Sequence, residues 1–199
     1  LMFYLTAVCG MSGTAAGSIF LMSLVVDGLL DPGIGRLSDR WTSRWGRRLP
    51  FMVVALPTLM IALALMFDLP RDVSPAVLVA HVLALNVVLR LSLSVFALPH
   101  SALTAELTDD YRERSVVSGF RAIFIVIGTA AALVPAFTVI FARAGGLQSP
   151  DGYPWLGLWA ALLIGIFGAS CVVGAGREIL RLPTPPRLDE HLSASFVTE

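Results

Sequence analysis

The chain has 199 residues, of which 56% are hydrophobic and 14% charged, and its fourteen basic and fourteen acidic side chains cancel to a formal net charge of zero. Soluble globular domains carry about a quarter of their residues as charged side chains, so this composition excludes an ordinary soluble protein. The mean hydropathy of +0.80 indicates a membrane protein instead.

Apolar runs of spanning length predict a series of membrane helices, each needing roughly twenty residues. Residues 1–9 are too short for a span, and we expect them to be the outer end of a helix that begins before Leu1. Five longer runs follow at 14–35, 49–67, 75–103, 116–141 and 155–175. The sequence therefore predicts an all-α polytopic bundle over residues 1–176, followed at 177–199 by a proline-containing linker.

All the basic residues are arginines, and their distribution predicts the orientation of the bundle. Most of them fall on one side of the predicted spans, whereas the opposite connections carry only Arg71 and Arg143. The positive-inside rule makes the arginine-rich side cytoplasmic. We therefore expect a multi-pass protein of the plasma (inner) membrane, with both ends of the intact N-terminal half in the cytoplasm. The arginines on that side are Arg36, Arg40, Arg44, Arg47, Arg48, Arg112, Arg114, Arg177, Arg181 and Arg187.

Two carboxylates lie within the second predicted helix. Asp27 and Asp31 are four residues apart, which places them on one helix face and about 6 Å apart along the axis. Charged groups at membrane depth are costly and by default mark ion or substrate pathways. Such a pair could bind a cation such as Na⁺ or a proton. The alternative is that each carboxylate pairs with an arginine and only joins helices.

Two arginines lie within other predicted spans. Arg121 is near the cytoplasmic end of the fifth helix, at a depth similar to Asp31, whereas Arg90 is deeper in the fourth helix and nearer the level of Asp27. A guanidinium fork could grip the hydroxyls or carboxylate of a solute. The alternatives are a static ion pair and, for Arg121, extension of the side chain to the interface. Ser94 lies one turn from Arg90 on a polar stripe that could line a cavity.

Other kinds of site have little support in the sequence. Cys9 and Cys171 fall in separate apolar segments and are read as packing residues. We find no phosphate-binding glycine loop, no basic patch outside the membrane boundary and no set of acid, base and nucleophile. The sequence thus predicts no metal or organic cofactor, no nucleic-acid partner and no enzymatic activity.

Two long motifs and one short one resemble a known family. The first is DGLLDPGIGRLSDRWTSRWGRRLP at 27–50, the second PHSALTAELTDDYRER at 99–114, and the third GFRAIF at 119–124. Together they resemble the N-terminal half of a major facilitator superfamily carrier, in the melibiose-carrier-like family of glycoside–pentoside–hexuronide cation symporters. This resemblance implies a six-helix half bundle whose first helix is truncated here.

The resemblance also implies roles for single residues. Asp27 and Asp31 correspond to cation-site carboxylates, and Ser94 stands where a hydroxyl of that site is expected. Arg121 corresponds to a sugar-contacting residue. The cytoplasmic gate that closes one face of such carriers would be formed by Gly35, Asp39, Arg40, Arg47 and Arg48.

The expected function is secondary active transport by alternating access. The resemblance implies symport of a sugar, glycoside or related small organic solute with Na⁺ or H⁺, in the lipid bilayer and together with a C-terminal half of the same protein. Ala97 and Ser101 stand where the melibiose carrier has Asp and Trp, so a galactoside is not implied. The alternatives are a carrier of lysolipids or other amphiphiles, and a membrane sensor or scaffold that does not transport.

Overall fold

The computed structural model describes residues 1–41, 43, 45–46, 48–70, 73–106 and 111–179, and at 103–106, 111, 114 and 178–179 it describes the backbone. Every regular element in these ranges is helical. The elements are a π-helical segment (Tyr4–Val8), α1 (Gly13–Arg40), α2 (Leu49–Met66), α3 (Pro75–Glu106), α4 (Tyr111–Pro135), a π-helical turn (Ala136–Ile140), α5 (Phe141–Ala144) and α6 (Gly152–Ile179).

Five helical segments are long and apolar enough to cross a membrane, with mean hydropathies of 1.6 to 2.4 over their most apolar windows. They contain or closely match the five long runs predicted from sequence, so the polytopic all-α prediction is confirmed. Residues 1–9 form a short helical segment against the bundle. Helix α6 continues to Ile179, and the rest of the predicted linker, 180–199, lies outside the described residues.

Local sequence accounts for where several helices begin and end. The Ser12 hydroxyl accepts a hydrogen bond from the Ala15 N–H at 3.2 Å and caps the start of α1. Pro50 lies in the first turn of α2, where its missing N–H leaves no helical bond unmade. Gly145 ends α5 with φ +87°, a left-handed conformation that favours glycine.

The core of the bundle is built around α2, which packs against both α3 and α6, while α1 packs against α3. Small residues allow close approach where α2 meets α6. A Cβ added at Gly157 would lie 2.9 Å from the Phe67 Cβ and 3.0 Å from the Ala64 carbonyl oxygen. The two helices therefore meet nearly backbone to backbone at this point.

We expect Gly157→Ala to destabilise the protein relative to Gly174→Ala by about 1–3 kcal/mol, the usual cost of overpacking. Both changes give α6 the same gain in helix propensity, but a Cβ at Gly174 meets nothing within 4 Å. Thermal unfolding of the two variants in detergent measures the difference. Equal unfolding temperatures would show that α2 and α6 separate at no cost.

One end of the bundle is closed by an aromatic cluster. Tyr4 stacks on Tyr153 with ring centroids 4.3 Å apart, and its hydroxyl donates to the Phe67 carbonyl at 3.2 Å. Phe141 meets Tyr153 edge-on at 5.1 Å. These contacts join the N-terminal segment to α2, α5 and α6. We call this the aromatic end, and the opposite end, where Arg36, Arg40 and Arg48 lie, the arginine end.

A π-helical turn follows α4 directly after Pro135. Proline has no N–H, so the carbonyl of Ala131, four residues earlier, loses its helical donor. The indole Nε1 of Trp159 on α6 donates to that carbonyl at 3.2 Å. Ala136, the first residue of the π-helical turn, is buried. A side chain of α6 therefore stabilises the irregular part of its neighbour.

The rest of α4 makes few contacts with the bundle. In the most apolar 18-residue window of the span Ser115–Ala144 only 6% of the residues are buried, compared with 33% in Leu49–Met66. Ile123 to Ile127 are exposed at every position around the helix. Within the described chain, α4 is therefore attached mainly at the aromatic end, and its arginine-end portion, which carries Arg121, stands apart from the core.

Candidate ion and solute site

A polar stripe runs along the face of α1. Ser23, Asp27 and Asp31 follow one another at intervals of four residues, about 6 Å per step along the axis. Ser23 is fully buried, and its hydroxyl donates to the Ile19 carbonyl at 2.8 Å. The two carboxylates therefore continue, towards the arginine end, a face that already lies in the protein interior.

A matching stripe runs along α3, which packs against α1. Asn86, Arg90 and Ser94 are also four residues apart, and Asn86 is only 2% exposed. The two helices are separated by one intervening span and run in the same direction. Their polar residues thus follow the same order from the aromatic end to the arginine end.

The two stripes meet at an ion pair. Arg90 Nη1 lies 3.1 Å from Asp27 Oδ2, with the Arg90 side chain 36% exposed and that of Asp27 15% exposed. This contact confirms the sequence expectation that the two residues lie at similar depth. At this distance the two opposite charges attract each other directly, and the low exposure of Asp27 reduces screening by salt. The register then places Ser94 one turn further along, at the level of Asp31.

Three polar atoms near this pair are buried and lack a hydrogen-bond partner among the described residues. They are Asp27 Oδ1, Asp31 Oδ1 and Asn86 Nδ2. Buried polar atoms are nearly always paired, so such exceptions require an explanation such as a bound ion or water. The two carboxylate oxygens lie on neighbouring turns, and either could bind a proton or a small cation.

Arg121 lies elsewhere in the structure. It is exposed on α4 and close enough to His100 on α3 to interact with it electrostatically. The His100 ring stacks on Phe96 with centroids 6.3 Å apart. In the described part of the chain, Arg121 forms no ion pair with Asp27 or Asp31. The structure thus pairs Arg90 with Asp27, whereas Arg121 acts electrostatically on His100.

The predicted gate is partly described at the arginine end. Arg48 Nη2 lies 3.1 Å from Asp39 Oδ1, and the Arg48 side chain is 10% exposed while that of Asp39 is 58% exposed. Gly46 has φ +86° and donates its N–H to the Ser43 carbonyl at 3.0 Å, which forms the turn that brings Arg48 back towards α1. The ion pair therefore ties the end of α1 to the start of α2.

The other gate residues contribute less to the described contacts. The Gly35 carbonyl accepts a hydrogen bond from the Ser38 hydroxyl at 2.9 Å. Arg40 is exposed at the last position of α1. Arg47 lies outside the described residues.

Sequence reasoning missed two members of the site, Ser23 and Asn86. Both are uncharged, and the prediction was drawn from charged groups in apolar runs. Their spacing of four residues from Asp27 and Arg90 was the available signal. Applied in both directions from each charge, helical periodicity would have found them.

Two further observations concern metal-binding clusters and cavities elsewhere in the described chain. In the described chain no three His, Cys, Asp or Glu side chains are grouped to hold a metal ion. A cavity of about 700 Å³ lies between the π-helical turn, α5 and α6, and its lining includes Arg143, Asp151, Trp155 and Trp159. None of the residues predicted from sequence lines it. The charged residues predicted from sequence at membrane depth, Asp27, Asp31 and Arg90, lie instead on the polar stripes of α1 and α3.

Comparison with known proteins supports a transport family. The sequence model of the family described as MFS/sugar transport protein matches residues 1–186. An uncharacterized symporter of Synechocystis sp. is 34% identical over 67% of this chain and 26% of its own length. An uncharacterized symporter of Bacillus subtilis is 34% identical over 100% of this chain and 42% of its own length.

A third relative carries a more specific name. This protein of Escherichia coli, whose name proposes a glycoside/cation symporter, is 27% identical over 90% of this chain and 36% of its own length. The chain thus spans less than half the length of each of these three relatives. Because the family match extends over residues 1–186, with helices of membrane-spanning length throughout, the chain belongs to the MFS/sugar transport protein family.

Proposed function

We propose that the protein is a secondary active transporter that moves a sugar, glycoside or related small organic solute together with a cation, by alternating access. The observation that carries this proposal is the Asp27–Arg90 ion pair with unpaired carboxylate oxygens beside it. The symporter names of the relatives support the same reaction class.

The energetic cost of these charges supports a functional role. A single Asp or Arg at the centre of a spanning helix costs about 3 kcal/mol on insertion scales. The chain keeps Asp27, Asp31, Arg90 and Arg121 within spans, and because only Asp27 and Arg90 are paired in the described chain, Asp31 is a carboxylate in excess of that contact. Helix packing alone could be achieved by small or apolar side chains without this cost. A carboxylate that binds and releases a travelling ion accounts for the excess.

The predicted residues receive roles in this proposal. Asp27 and Asp31, with the Ser94 hydroxyl at the level of Asp31, form the cation-coupling group. Arg121 contacts the solute through its guanidinium donors, and Arg90 does so when solute oxygens replace those of Asp27. The coupling ion is Na⁺ or H⁺.

The arginine-end contacts form the gate of the proposed cycle. The Asp39–Arg48 pair would hold the arginine end closed in one state and separate in the other, with Gly35, Arg40 and Arg47 in the same motif. Solute would bind near the membrane midplane between residues 1–176 and a second, C-terminal half, and rocking of one half against the other would expose it to each side in turn.

The arginine distribution supports an orientation for this cycle. We place the arginine end in the cytoplasm and the protein in the plasma (inner) membrane, with both ends of the N-terminal half on the cytoplasmic side. Residues 177–199 would begin the linker to the second half.

The proposal is tested by uptake into vesicles that contain the full-length gene product. We expect at least one member of a panel of radiolabelled methyl glycosides and glucuronides to accumulate when a Na⁺ or H⁺ gradient is imposed. Accumulation should disappear when an ionophore collapses the gradient. Empty vesicles are the control. Binding without accumulation would indicate a sensor, and selective uptake of lysolipids would indicate an amphiphile carrier.

A further inference from the structure

We propose that the cavity between the π-helical turn, α5 and α6 binds one zwitterionic phospholipid, with its phosphate at Arg143 and its ammonium group at Asp151. The lining belongs to α6 and to the chain just before it, and not to the polar stripes on α1 and α3. The inference therefore goes beyond the proposed transport function and does not depend on it. It follows from the kinds of side chain in the lining and from their order along α6.

The charged side chains of the cavity lie where two spanning segments end. Arg143 is the last residue but one of the span Ser115–Ala144, and Asp151 directly precedes the span Gly152–Arg177. Both residues are exposed. The headgroups of a bilayer lie at this level, just outside the hydrocarbon. Arg143 and Asp151 are therefore at the depth of lipid phosphates and amines.

The lining becomes more apolar along α6 with distance from this boundary. Trp155 lies one turn beyond Asp151, and Leu158 and Leu162 follow after two and three turns. At 1.5 Å per residue, the distance from Asp151 to Leu162 is about 16 Å, which is about half the thickness of the hydrocarbon core. The order of charged, aromatic and aliphatic side chains matches the order of headgroup, ester region and acyl chain in a phospholipid of one leaflet.

The walls of the cavity are partly fixed and partly exposed. The Trp159 indole is held by its hydrogen bond to the Ala131 carbonyl at 3.2 Å. Trp155 is 66% exposed, Leu158 54% and Leu162 50%. The volume of about 700 Å³ is within the range of roughly 300–1,000 Å³ that is usual for small-molecule sites. An acyl chain in this cavity would cover the exposed apolar side chains.

The charges of the lining select the kind of headgroup. A guanidinium is well suited to binding a phosphate, and a carboxylate can accept several hydrogen bonds, so Asp151 can bind an ammonium group in addition to its contacts within the chain. A headgroup with both charges meets an opposite charge at each end. An anionic headgroup without the amine would be attracted by Arg143 but repelled by Asp151. The lining therefore favours phosphatidylethanolamine over phosphatidylglycerol.

The test measures lipid binding to the purified, delipidated full-length gene product in detergent. Phosphatidylethanolamine or phosphatidylglycerol with brominated acyl chains is titrated, because bromine quenches tryptophan fluorescence on contact. The quenching that is lost in Trp155→Phe reports occupancy of this cavity. We expect the wild type to bind phosphatidylethanolamine about tenfold more tightly than phosphatidylglycerol, and inorganic phosphate alone to leave the quenching unchanged.

Two substitutions test the two charges separately. We expect Arg143→Gln to weaken the binding of phosphatidylethanolamine about tenfold, since it removes a charged hydrogen-bond donor to the phosphate. Asp151→Asn should abolish the preference between the two lipids, because the lining then carries a net positive charge. Asp68→Asn is the matched control, an exposed carboxylate at the same end of the bundle but outside the cavity lining, and we expect it to bind both lipids as the wild type does.

Equal affinity of the wild type for the two lipids, or tighter binding of phosphatidylglycerol, would overturn the inference even if the variants fail to fold. Unchanged binding by folded Arg143→Gln would overturn it as well. Absence of any Trp155-dependent quenching would mean that another part of the full-length protein covers the cavity, which also contradicts the inference. The uptake assay reads the proposed transport function separately, because the binding assay contains no solute.

Discussion

Asp31→Asn in the full-length gene product is expected to reduce gradient-driven solute accumulation to the level of empty vesicles, while the protein still inserts into the membrane. The amide retains the size of the carboxylate and can still form hydrogen bonds, but it carries no charge and cannot exchange a proton or balance a cation. Since Asp31 Oδ1 has no described partner, little packing is lost with the charge. Uptake and the amount of protein in the vesicles are measured on the same preparation.

Asp68→Asn is the matched control for this substitution. Asp68 is exposed in the connection after α2, so the same chemical change occurs away from both polar stripes. We expect its accumulation to equal that of the wild type. Normal accumulation by Asp31→Asn would mean that Asp31 has only a structural role. Loss of accumulation in both variants would mean that the effect is not specific to Asp31.

Reversal of the gate charge, Arg48→Asp, is expected to lower the transport rate by about tenfold or more with little change in the relative preference for different solutes. The Asp39–Arg48 pair alone contributes only about 0.2–1 kcal/mol, because Asp39 is 58% exposed. The reversal costs more, since it places a carboxylate where the side chain is 10% exposed and opposite a second carboxylate.

The double variant Asp39→Arg/Arg48→Asp provides the corresponding control. It restores opposite charges across the same contact, and we expect it to recover part of the lost rate. Initial uptake rates of several solutes in parallel give both the rate and the preference. An unchanged rate combined with an altered order of solutes would place Arg48 in the solute site and contradict its role as a gate.

The positions of the spanning helices followed closely from the sequence. The run predicted at 49–67 is the helix Leu49–Met66, and the run predicted at 75–103 begins at Pro75 and continues to Glu106. Lipid-spanning helices are specified by a long apolar segment and by little else, so hydropathy finds them directly.

The ends of the helices agreed less closely with the sequence prediction. Helix α1 continues to Arg40 although its predicted apolar run ends at Gly35, and α4 begins at Tyr111, five residues before the predicted start. Apolarity marks the part of a helix that is surrounded by lipid, whereas hydrogen bonding and caps decide where the helix ends. Polar turns such as Arg36–Arg40 are therefore read as loops.

The site was predictable where charge was present. The intramembrane carboxylates and Arg90 stood out because such groups are rare in apolar runs, and comparison of their depths anticipated the contact between Asp27 and Arg90. Asn86 is buried beside them but gave no comparable signal. The position of Arg121 beside His100 depends on how α4 packs, which a single sequence does not specify.

The hydrogen bond from Trp159 to the Ala131 carbonyl fixes α4 to α6 at one point, about which the rest of α4 can tilt. On the aromatic side of this point buried Ala136 and Phe141 hold the chain, and on the other side the described side chains at 115–127 are all exposed. Because Arg121 lies further along α4, a small tilt of the helix at this point moves Arg121 further than it moves Ala131. We therefore expect loss of the indole to make the position of Arg121 less well defined without changing the guanidinium itself.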